Sequence, residues 1–354
     1  MSNPSGFVIN RGINLSHWLS QDFGWAPRDE YLKPDDLVRL AGLGFDHVRL
    51  PIDEKELRLP AGEPNEAEFD RLLAGIGWSR DAGLRVIVDL HTVTSHHFNA
   101  ANDGATNTLW TDDPAQRHFL DLWRELSSRL GDLPVSEVAY EFLNEPVADD
   151  HEDWNRLVTR AYGLVRGLEP DRVLVMGPNR WQQPENMPFL AVPSGDPNVI
   201  LSVHTYAPLL FTHYRAYWTS FPHFAGTARY PGPVTTPAEF AELRRGARAN
   251  LLLETADAAD DWGPERLRAT FQPAIDRARE TGLQLYCGEF GCLPTVSRDQ
   301  RLAYYRNITA VMRDAGMAWA AWEWKGDFGV FTWRGESDLN TPLDAELVDI
   351  LAAK

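Results

Sequence analysis

The sequence predicts an α/β protein that forms a single (β/α)8 barrel of the TIM type. Eight short runs of apolar and β-branched residues alternate with longer amphipathic stretches along the chain. Several of these stretches end in a glycine directly before the next run, as in DAGLRV, ETGLQL and DAGMAW, and glycine commonly ends helices. Eight strands alternating with helices over 354 residues suit a barrel of the larger kind.

The eight predicted strands cover residues 7–15, 45–51, 84–91, 136–145, 172–177, 198–206, 283–291 and 317–325. The clearest helical patterns between them cover residues 70–83, 115–131 and 299–316. An open, doubly wound sheet is the alternative arrangement. Its phosphate-binding motifs are absent, since no GxGxxG follows the first strand and no GxxxxGK[ST] occurs anywhere. The pattern therefore favours one barrel domain over residues 1–354.

The connection between the sixth and seventh predicted strands is too long for an ordinary loop. Its first part, residues 205–262, is rich in Tyr, Trp and Phe, a composition that argues against disorder. We expect an ordered insertion that forms a wall over the mouth of the barrel. An insertion that only buries its own aromatic rings is the alternative.

Composition excludes several classes of partner. A net charge of −17 argues against nucleic acid and anionic membrane surfaces, and no apolar run approaches the ~20 residues that a membrane span needs. The start, MSNPSGFVINRG, lacks the pattern of a signal peptide, so we expect a cytoplasmic protein, or a secreted one if a leader has been removed. Cys287 and Cys292 are too few for a disulfide framework. The oligomeric state is left open.

Polar residues gather at the carboxyl ends of the predicted strands. In a barrel these ends form one face, and that face hosts the active site. Any one of these residues alone has a structural explanation, but their coincidence on one face points to chemistry. The residues concerned are Arg49, Asp89, His91, Asn144, Glu145, His204, Tyr206, Glu289, Trp322 and Glu323.

The stretch YEFLNEP, residues 140–146, places two glutamates in an otherwise apolar run. Burying an unpaired carboxylate is costly, so each glutamate needs a partner or a chemical role. Side chains alternate along a strand, which would put Glu141 and Glu145 on one face. We expect Glu145 at the barrel mouth and Glu141 one layer deeper, hydrogen-bonded to Arg49 or another donor.

Glu145 and Glu289 would then face each other across the mouth. Two carboxyl groups on either side of the scissile bond are typical of glycoside hydrolysis, in which one donates a proton and the other stays ionised. Glu323 is a third acidic residue nearby. It could contact substrate or a helix behind the strand, and we expect a structural role for it.

The motifs LNEP (143–146), GEFG (288–291), HVRLP (47–51), DLH (89–91) and HTY (204–206), with a tryptophan on the last strand, resemble glycoside hydrolase family 5. The resemblance runs from RGINLSHWLS (11–20) nearly to the carboxyl terminus. It implies a retaining hydrolase of β-linked glucans that needs no cofactor or metal. It also implies that Glu145 is the acid/base and Glu289 the nucleophile. The supporting and substrate-binding residues that it implies are Arg49, His91, Asn144, His204, Tyr206 and Trp322.

Within the family, the stretches PLLFTHYRAYW (208–218), ARYPG (228–232) and LYCGEFG (285–291) resemble clostridial endoglucanases that cut β-1,4- and mixed-linkage glucans. Three positions depart from the pattern: Thr92 replaces a histidine, Tyr214 replaces a glutamine, and Glu323 replaces a neutral residue. These departures leave the sugar and linkage open.

Four alternatives remain from the sequence alone: a β-mannanase, an exo-β-glucosidase, a non-catalytic carbohydrate-binding barrel and a metalloenzyme that uses the strand-end histidines. The sequence has no HExxH or comparable metal-ligand spacing.

Overall fold

The computed structural model describes residues 4–99, 107–331 and 342–353. In that part of the chain, eight parallel strands close into a barrel in which each strand pairs with the next and the eighth pairs with the first. The strands are β1 (Arg11–Asn14), β2 (His47–Asp53), β3 (Arg85–Thr92), β4 (Val138–Glu141), β5 (Leu174–Met176), β6 (Val199–His204), β7 (Gln284–Glu289) and β8 (Ala318–Ala321). The predicted (β/α)8 barrel is confirmed, and each predicted run overlaps one barrel strand, although β2 and β3 extend one or two residues beyond their runs.

Helices surround the barrel. Outside residues 205–262, the α-helices are Arg28–Tyr31, Pro34–Gly42, Glu66–Asp81, Asp113–Leu130, His151–Leu168, Pro264–Thr281, Arg298–Asp314 and Ala345–Ala352, with a 3₁₀ helix at Thr108–Trp110. A second 3₁₀ helix, Pro184–Phe189, takes the place of an α-helix between β5 and β6, where Pro184 and Pro188 cannot donate backbone hydrogen bonds. Among the helices that the structure describes, none combines the length and apolar character needed to cross a membrane.

Glycines end helices as the sequence predicted. Gly83 and Gly282 have φ angles of 82° and 72°, in the left-handed region that glycine adopts at little cost. Each allows the chain to leave its helix and enter β3 or β7 directly.

The barrel interior is apolar at its amino-terminal end and polar at its carboxyl-terminal end. The apolar part consists of Phe7, Ile9, Ile87, Ala139, Val173, Val175, Ile200, Tyr286, Ala318 and Ala320. Phe7 and Ile9 precede β1 and pack into this cluster. Buried charged side chains such as Arg49 and Glu141 lie nearer the other end, so the fold directs the polar groups to the face where barrel enzymes act.

The expected alternation from Glu141 to Glu145 is wrong. Strand β4 ends at Glu141, and Glu145 has a φ angle of 44°, which no regular strand adopts. Glu145 is therefore placed by a turn instead of by the pleat of the strand.

Residues 205–262 contain regular structure: the helices Leu209–Thr212, Pro237–Leu243 and Ala249–Glu254, and an antiparallel pair of short strands, Gly232–Pro233 with Asp261–Trp262. Phe221, Tyr230 and Trp262 are buried within the fold, whereas Ala216 packs with Trp322 just after β8. The segment thus buries its own aromatic rings and also reaches the carboxyl-terminal end of the barrel. That it forms a wall over the mouth stays a prediction.

Candidate active site

Arg49 on β2 lies at the centre of the polar end of the barrel and is fully buried. Its Nε donates to Glu141 at 2.6 Å, and one Nη donates to Glu289 at 2.6 Å. The other Nη forms an ion pair with Asp89 at 3.0 Å. One guanidinium thus joins carboxylates from β3, β4 and β7, and the contact that we expected between Glu141 and Arg49 is present.

Two asparagines complete the surroundings of Arg49. The side-chain oxygens of Asn14 and Asn144 accept hydrogen bonds from its Nη atoms at 3.1 and 2.9 Å. The Asn14 amide in turn donates to the carbonyl of Gly288 at 2.9 Å. Because a guanidinium is a planar fork with fixed donor directions, these bonds fix the relative positions of β1, β2, β4 and β7.

Glu289, at the end of β7, accepts hydrogen bonds on both carboxylate oxygens. Arg49 donates to one oxygen and the Tyr206 hydroxyl donates to the other at 2.9 Å. Burial raises the pKa of Glu289, while the positive charge of Arg49 and the bond from Tyr206 act in the opposite direction. Both donors favour the ionised form of this carboxylate.

Glu145 is in the opposite electrostatic situation. Burial, followed by the negative charge of Glu289, raises the pKa of Glu145 well above its ordinary value. One carboxylate oxygen hydrogen-bonds with Nδ1 of His204 at 3.1 Å. Burial lowers the pKa of His204 well below its ordinary value, so this histidine is neutral and supplies no charge to ionise Glu145. The surroundings of Glu145 thus favour its protonated form more strongly than the surroundings of Glu289 do.

The two carboxyl groups are close together. One oxygen of Glu145, one of Glu289 and a ring nitrogen of His204 all lie within 4.8 Å of one another. Three such ligand atoms could also bind a metal ion, but binding would require Glu145 to ionise, and its surroundings favour the neutral form. The arrangement is better suited to proton transfer and nucleophilic attack than to metal binding.

His91 and Trp322 pack ring against ring at the polar end of the barrel. The two rings stack with centroids 5.8 Å apart and planes inclined by 11°. Nδ1 of His91 hydrogen-bonds with Asp89 at 2.8 Å, and burial lowers the pKa of His91 to about 4. The imidazole beside Trp322 is therefore neutral, and the indole is a ring of the type against which sugars stack.

Three buried nitrogens of this site lack a partner. Nδ2 of Asn144, Nε2 of His91 and Nε2 of His204 have no hydrogen-bond partner within the described ranges. A buried polar group without a partner is costly. All three nitrogens are therefore candidates for binding a substrate hydroxyl group.

Glu323 is bound within the protein. Its carboxylate accepts hydrogen bonds from Ser16 and from the backbone N–H of Phe328, and it pairs with Nε2 of His17 at 2.9 Å. These partners support the structural role that we expected. They follow β1 and β8, however, instead of lying on a helix behind the sheet.

All eight site residues predicted from the sequence are joined in one network of contacts. Glu145, Glu289, Arg49, Asn144, His204 and Tyr206 are linked by hydrogen bonds, and His91 and Trp322 are linked by stacking and through Asp89. Sequence reasoning missed Asn14, His17 and Gln182. Asn14 could have been found as a lone amide in the apolar run GINL, but Gln182 lies in a polar loop where nothing in the sequence distinguishes it.

A model of the cellulase family, glycosyl hydrolase family 5, matches residues 6–328 of this chain. The chain belongs to glycosyl hydrolase family 5. Endoglucanase C of Acetivibrio thermocellus and Endoglucanase C307 of a Clostridium strain are each 29% identical to it over 352 residues, covering 97% of this chain and 98% of theirs. Cellodextrinase A of Ruminococcus flavefaciens is 28% identical over 313 residues, covering 88% of this chain and 84% of its own.

The predicted resemblance to this family and its clostridial endoglucanases is thereby confirmed, and the chain is a glycoside hydrolase of the cellulase type. Solved structures agree on the fold. Thermotoga maritima Cel5A in complex with cellobiose has a TM-score of 0.76 at 23% identity, covering 97% of this chain and 96% of its own. The same enzyme in complex with mannotriose has a TM-score of 0.76 at 22% identity, covering 98% of each chain.

Replacement of Arg49 by Met should destabilise the fold by about 3–5 kcal/mol, because buried carboxylates would lose their shared cation. The free energy of unfolding in urea measures this change. The loss should be smaller at pH 5 than at pH 7: the folded-state pKa values of these carboxyl groups are raised even with the cation and would rise further without it, so protonation favours the folded state of the variant more than that of the unsubstituted protein.

Arg156→Met is the matched control, since Arg156 forms an exposed pair with Asp153. Its effect should stay within about 0.5 kcal/mol. Equal effects of the two substitutions would contradict the central role of Arg49.

Proposed function

We propose that this hydrolase is a retaining, endo-acting β-glucanase that cleaves β-1,4- or mixed-linkage β-1,3-1,4-glucans, with Glu145 as acid/base and Glu289 as nucleophile. The closeness of the two carboxyl groups carries the proposal, since one oxygen of Glu145 lies within 4.8 Å of one oxygen of Glu289. Retaining enzymes hold the pair at roughly 5–5.5 Å, whereas inverting enzymes leave about 6.5–9.5 Å to admit a water molecule. The short separation supports direct attack by a carboxylate.

In the first step, an oxygen of Glu289 forms a bond to the anomeric carbon while the bond from that carbon to the leaving sugar oxygen breaks. Glu145 transfers its proton to the departing oxygen. Arg49 and Tyr206 hold Glu289 ionised and oriented through the bonds described above. The products are the released sugar alcohol and a glycosyl ester on Glu289.

In the second step, Glu145 removes a proton from water, the water oxygen bonds to the anomeric carbon, and Glu289 leaves as a carboxylate. The reversal of role has an electrostatic cause. The charge of Glu289 raises the pKa of Glu145, and this charge is absent while Glu289 is esterified. The pKa of Glu145 therefore falls at the stage when a base is needed.

A row of rings leads from the glutamates towards the protein surface. The His17 ring lies 6.1 Å from Trp322, 4.8 Å from Trp25 and 5.0 Å from Phe23, measured between centroids. Trp25 and Phe23 are exposed, and aromatic faces bind sugar rings. The row supports an oligosaccharide or polysaccharide substrate longer than the unit held at Trp322.

A β-mannanase is the second candidate, because a structural neighbour has been crystallised with both cellobiose and mannotriose. The mechanism would be unchanged. A non-catalytic sugar-binding barrel is disfavoured, since it would have no need to keep one carboxyl group protonated beside an ionised one.

We expect release of reducing sugar from barley β-glucan, lichenan or carboxymethylcellulose, with the β-anomer formed first. Glu145→Gln and Glu289→Gln should each lower kcat by at least about 100-fold. Glu66→Gln, at an exposed position, is the control and should leave kcat unchanged. Activity confined to glucomannan and galactomannan would favour the mannanase. Formation of the α-anomer first would contradict the retaining mechanism. Inactivity on every glycan would contradict the proposed function.

The dependence of kcat/KM on pH should be bell-shaped. The acid limb reports ionisation of Glu289. The alkaline limb reports loss of the proton from Glu145 and should lie well above the ordinary range of a carboxylic acid, because burial and Glu289 raise that pKa. With a dinitrophenyl glycoside, whose leaving group needs no proton, the alkaline limb that is seen with a phenyl glycoside should be absent. An equal alkaline limb with both glycosides would assign it to a group other than the acid.

Trp25→Ala should lower kcat/KM for cellopentaose by about 10-fold and leave phenyl β-cellobioside unaffected, because a distal sugar would lose about 1.4 kcal/mol of stacking, within the range of aromatic contacts. Kinetics on cello-oligosaccharides of increasing length measure the difference. Leu168→Ala, an exposed apolar position at the end of a helix, is the control. A uniform loss at all lengths would show that Trp25 supports the fold and not a distal subsite.

A further inference from the structure

Gln182, in the loop after β5, lies between the two glutamates of the stretch YEFLNEP. Its side chain is fully buried. The amide oxygen accepts a hydrogen bond from the backbone N–H of Glu145 at 2.8 Å, and the amide nitrogen donates to the Glu141 carboxylate at 3.0 Å. One side chain therefore connects the proposed acid/base to the inner glutamate.

Only an amide satisfies both neighbours at once. A backbone N–H needs an acceptor and a carboxylate needs a donor, so the orientation of the Gln182 amide is set by its partners. A methionine of similar length offers neither group. A shorter asparagine does not span the same distance from the same backbone.

The backbone on both sides of this contact is in an unusual conformation. Glu145 has a φ angle of 44°, and Arg180, Trp181 and Gln182 have φ angles of 62°, 58° and 52°. Non-glycine residues seldom enter this left-handed region, and they stay there only when surrounding contacts hold them. The hydrogen bond from Glu145 to Gln182 is such a contact, because it fixes the peptide that begins the acid residue.

Gln182 also positions His204, the hydrogen-bond partner of the Glu145 carboxyl group. Its backbone carbonyl accepts from the N–H of His204 at 2.9 Å, and Nδ1 of His204 hydrogen-bonds with the Glu145 carboxyl group. The side chain of Gln182 thus holds the backbone of Glu145, and the backbone of Gln182 holds the backbone of His204, whose ring contacts the Glu145 carboxyl group.

The rest of the site is shaped to accept this side chain. A Cβ atom on Gly177, at the end of β5, would lie 2.1 Å from the Gln182 amide nitrogen. The glycine therefore leaves the space that the amide occupies. At the other end, Glu141 accepts a hydrogen bond from Arg49 at 2.6 Å, so the amide is anchored to a carboxylate that is itself held in place.

We propose that Gln182 is a positioning residue that aims Glu145 at the leaving-group oxygen, through the chain of contacts Arg49–Glu141–Gln182–Glu145. This inference rests on the proposed function, in which Glu145 is the acid/base. The inference also explains why Glu141 is buried. Glu141 anchors the Gln182 amide, and that amide positions Glu145.

The test compares two substrates that differ only in their need for a proton. Departure of 2,4-dinitrophenolate from a β-cellobioside needs no acid, whereas departure of phenolate does; β-mannobiosides replace them if the enzyme prefers mannans. Gln182→Met should lower kcat/KM for the phenyl glycoside by about 100-fold, the loss expected when a reacting group is misplaced by about 1 Å. For the dinitrophenyl glycoside, kcat/KM should change less than about 3-fold. A dinitrophenyl 2-deoxy-2-fluoro-glycoside, which releases one dinitrophenolate for each competent site, normalises both values.

Gln183→Met is the matched control, since the neighbouring side chain is exposed, and it should leave both values unchanged. Gly177→Ala is a second variant that displaces the amide without altering it, and it should reproduce the same difference between substrates. Equal losses of normalised kcat/KM on the two glycosides would show that Gln182 has only a structural role, which would contradict the inference. Full activity of Gln182→Met on both would also overturn the inference, while inactivity of the unmodified enzyme on both glycosides and on glucans would overturn the proposed function itself.

Discussion

The site depends on one buried guanidinium that serves three carboxyl groups. Arg49 contacts Asp89, Glu141 and Glu289 at 2.6–3.0 Å, and a single positive charge cannot balance all of them. The surplus of negative charge is relieved by protonation. Burial raises the pKa of Asp89 to about 7 and raises that of Glu141 as well. The cation that holds the barrel end together therefore also decides which acids keep a proton.

The division of roles between the two glutamates follows from distance to that cation. Glu289 receives two hydrogen bonds, from Arg49 and Tyr206, that favour its ionised form. Glu145 has a neutral histidine as its carboxyl partner and the charge of Glu289 nearby. Burial raises the pKa of both glutamates, but only Glu289 has a cation and a hydroxyl donor that act in the opposite direction, and acid–base pairs in glycosidases depend on such a difference. No difference in residue chemistry is needed, only a difference in surroundings.

The sequence allowed the barrel and much of the site to be predicted, for separate physical reasons. Buried parallel strands are continuous apolar runs, so each polar residue at the end of a run, such as His204 or Glu289, was conspicuous. Alternation failed for Glu145 because β4 ends at Glu141, and a left-handed φ angle leaves no signal when the residue is not glycine. Gln182 could not be found because its function depends on partners far away in the sequence, in a loop of ordinary polar composition.

The departure at Glu323 has a local explanation that leaves the reaction undisturbed. Burial disfavours a charge on His17, but Glu323 beside it raises the pKa of His17 above its ordinary value. The extra carboxylate at the mouth therefore pairs with a residue that follows β1 and not with Arg49. His17 also lies against Trp25 and Trp322. The pair of His17 and Glu323 therefore stands between two groups of rings: those proposed to bind distal sugars, and those near the glutamates. The acidic groups at this end of the barrel thus fall into two sets, one joined to the segment after β1 through His17 and one joined to the strands through Arg49.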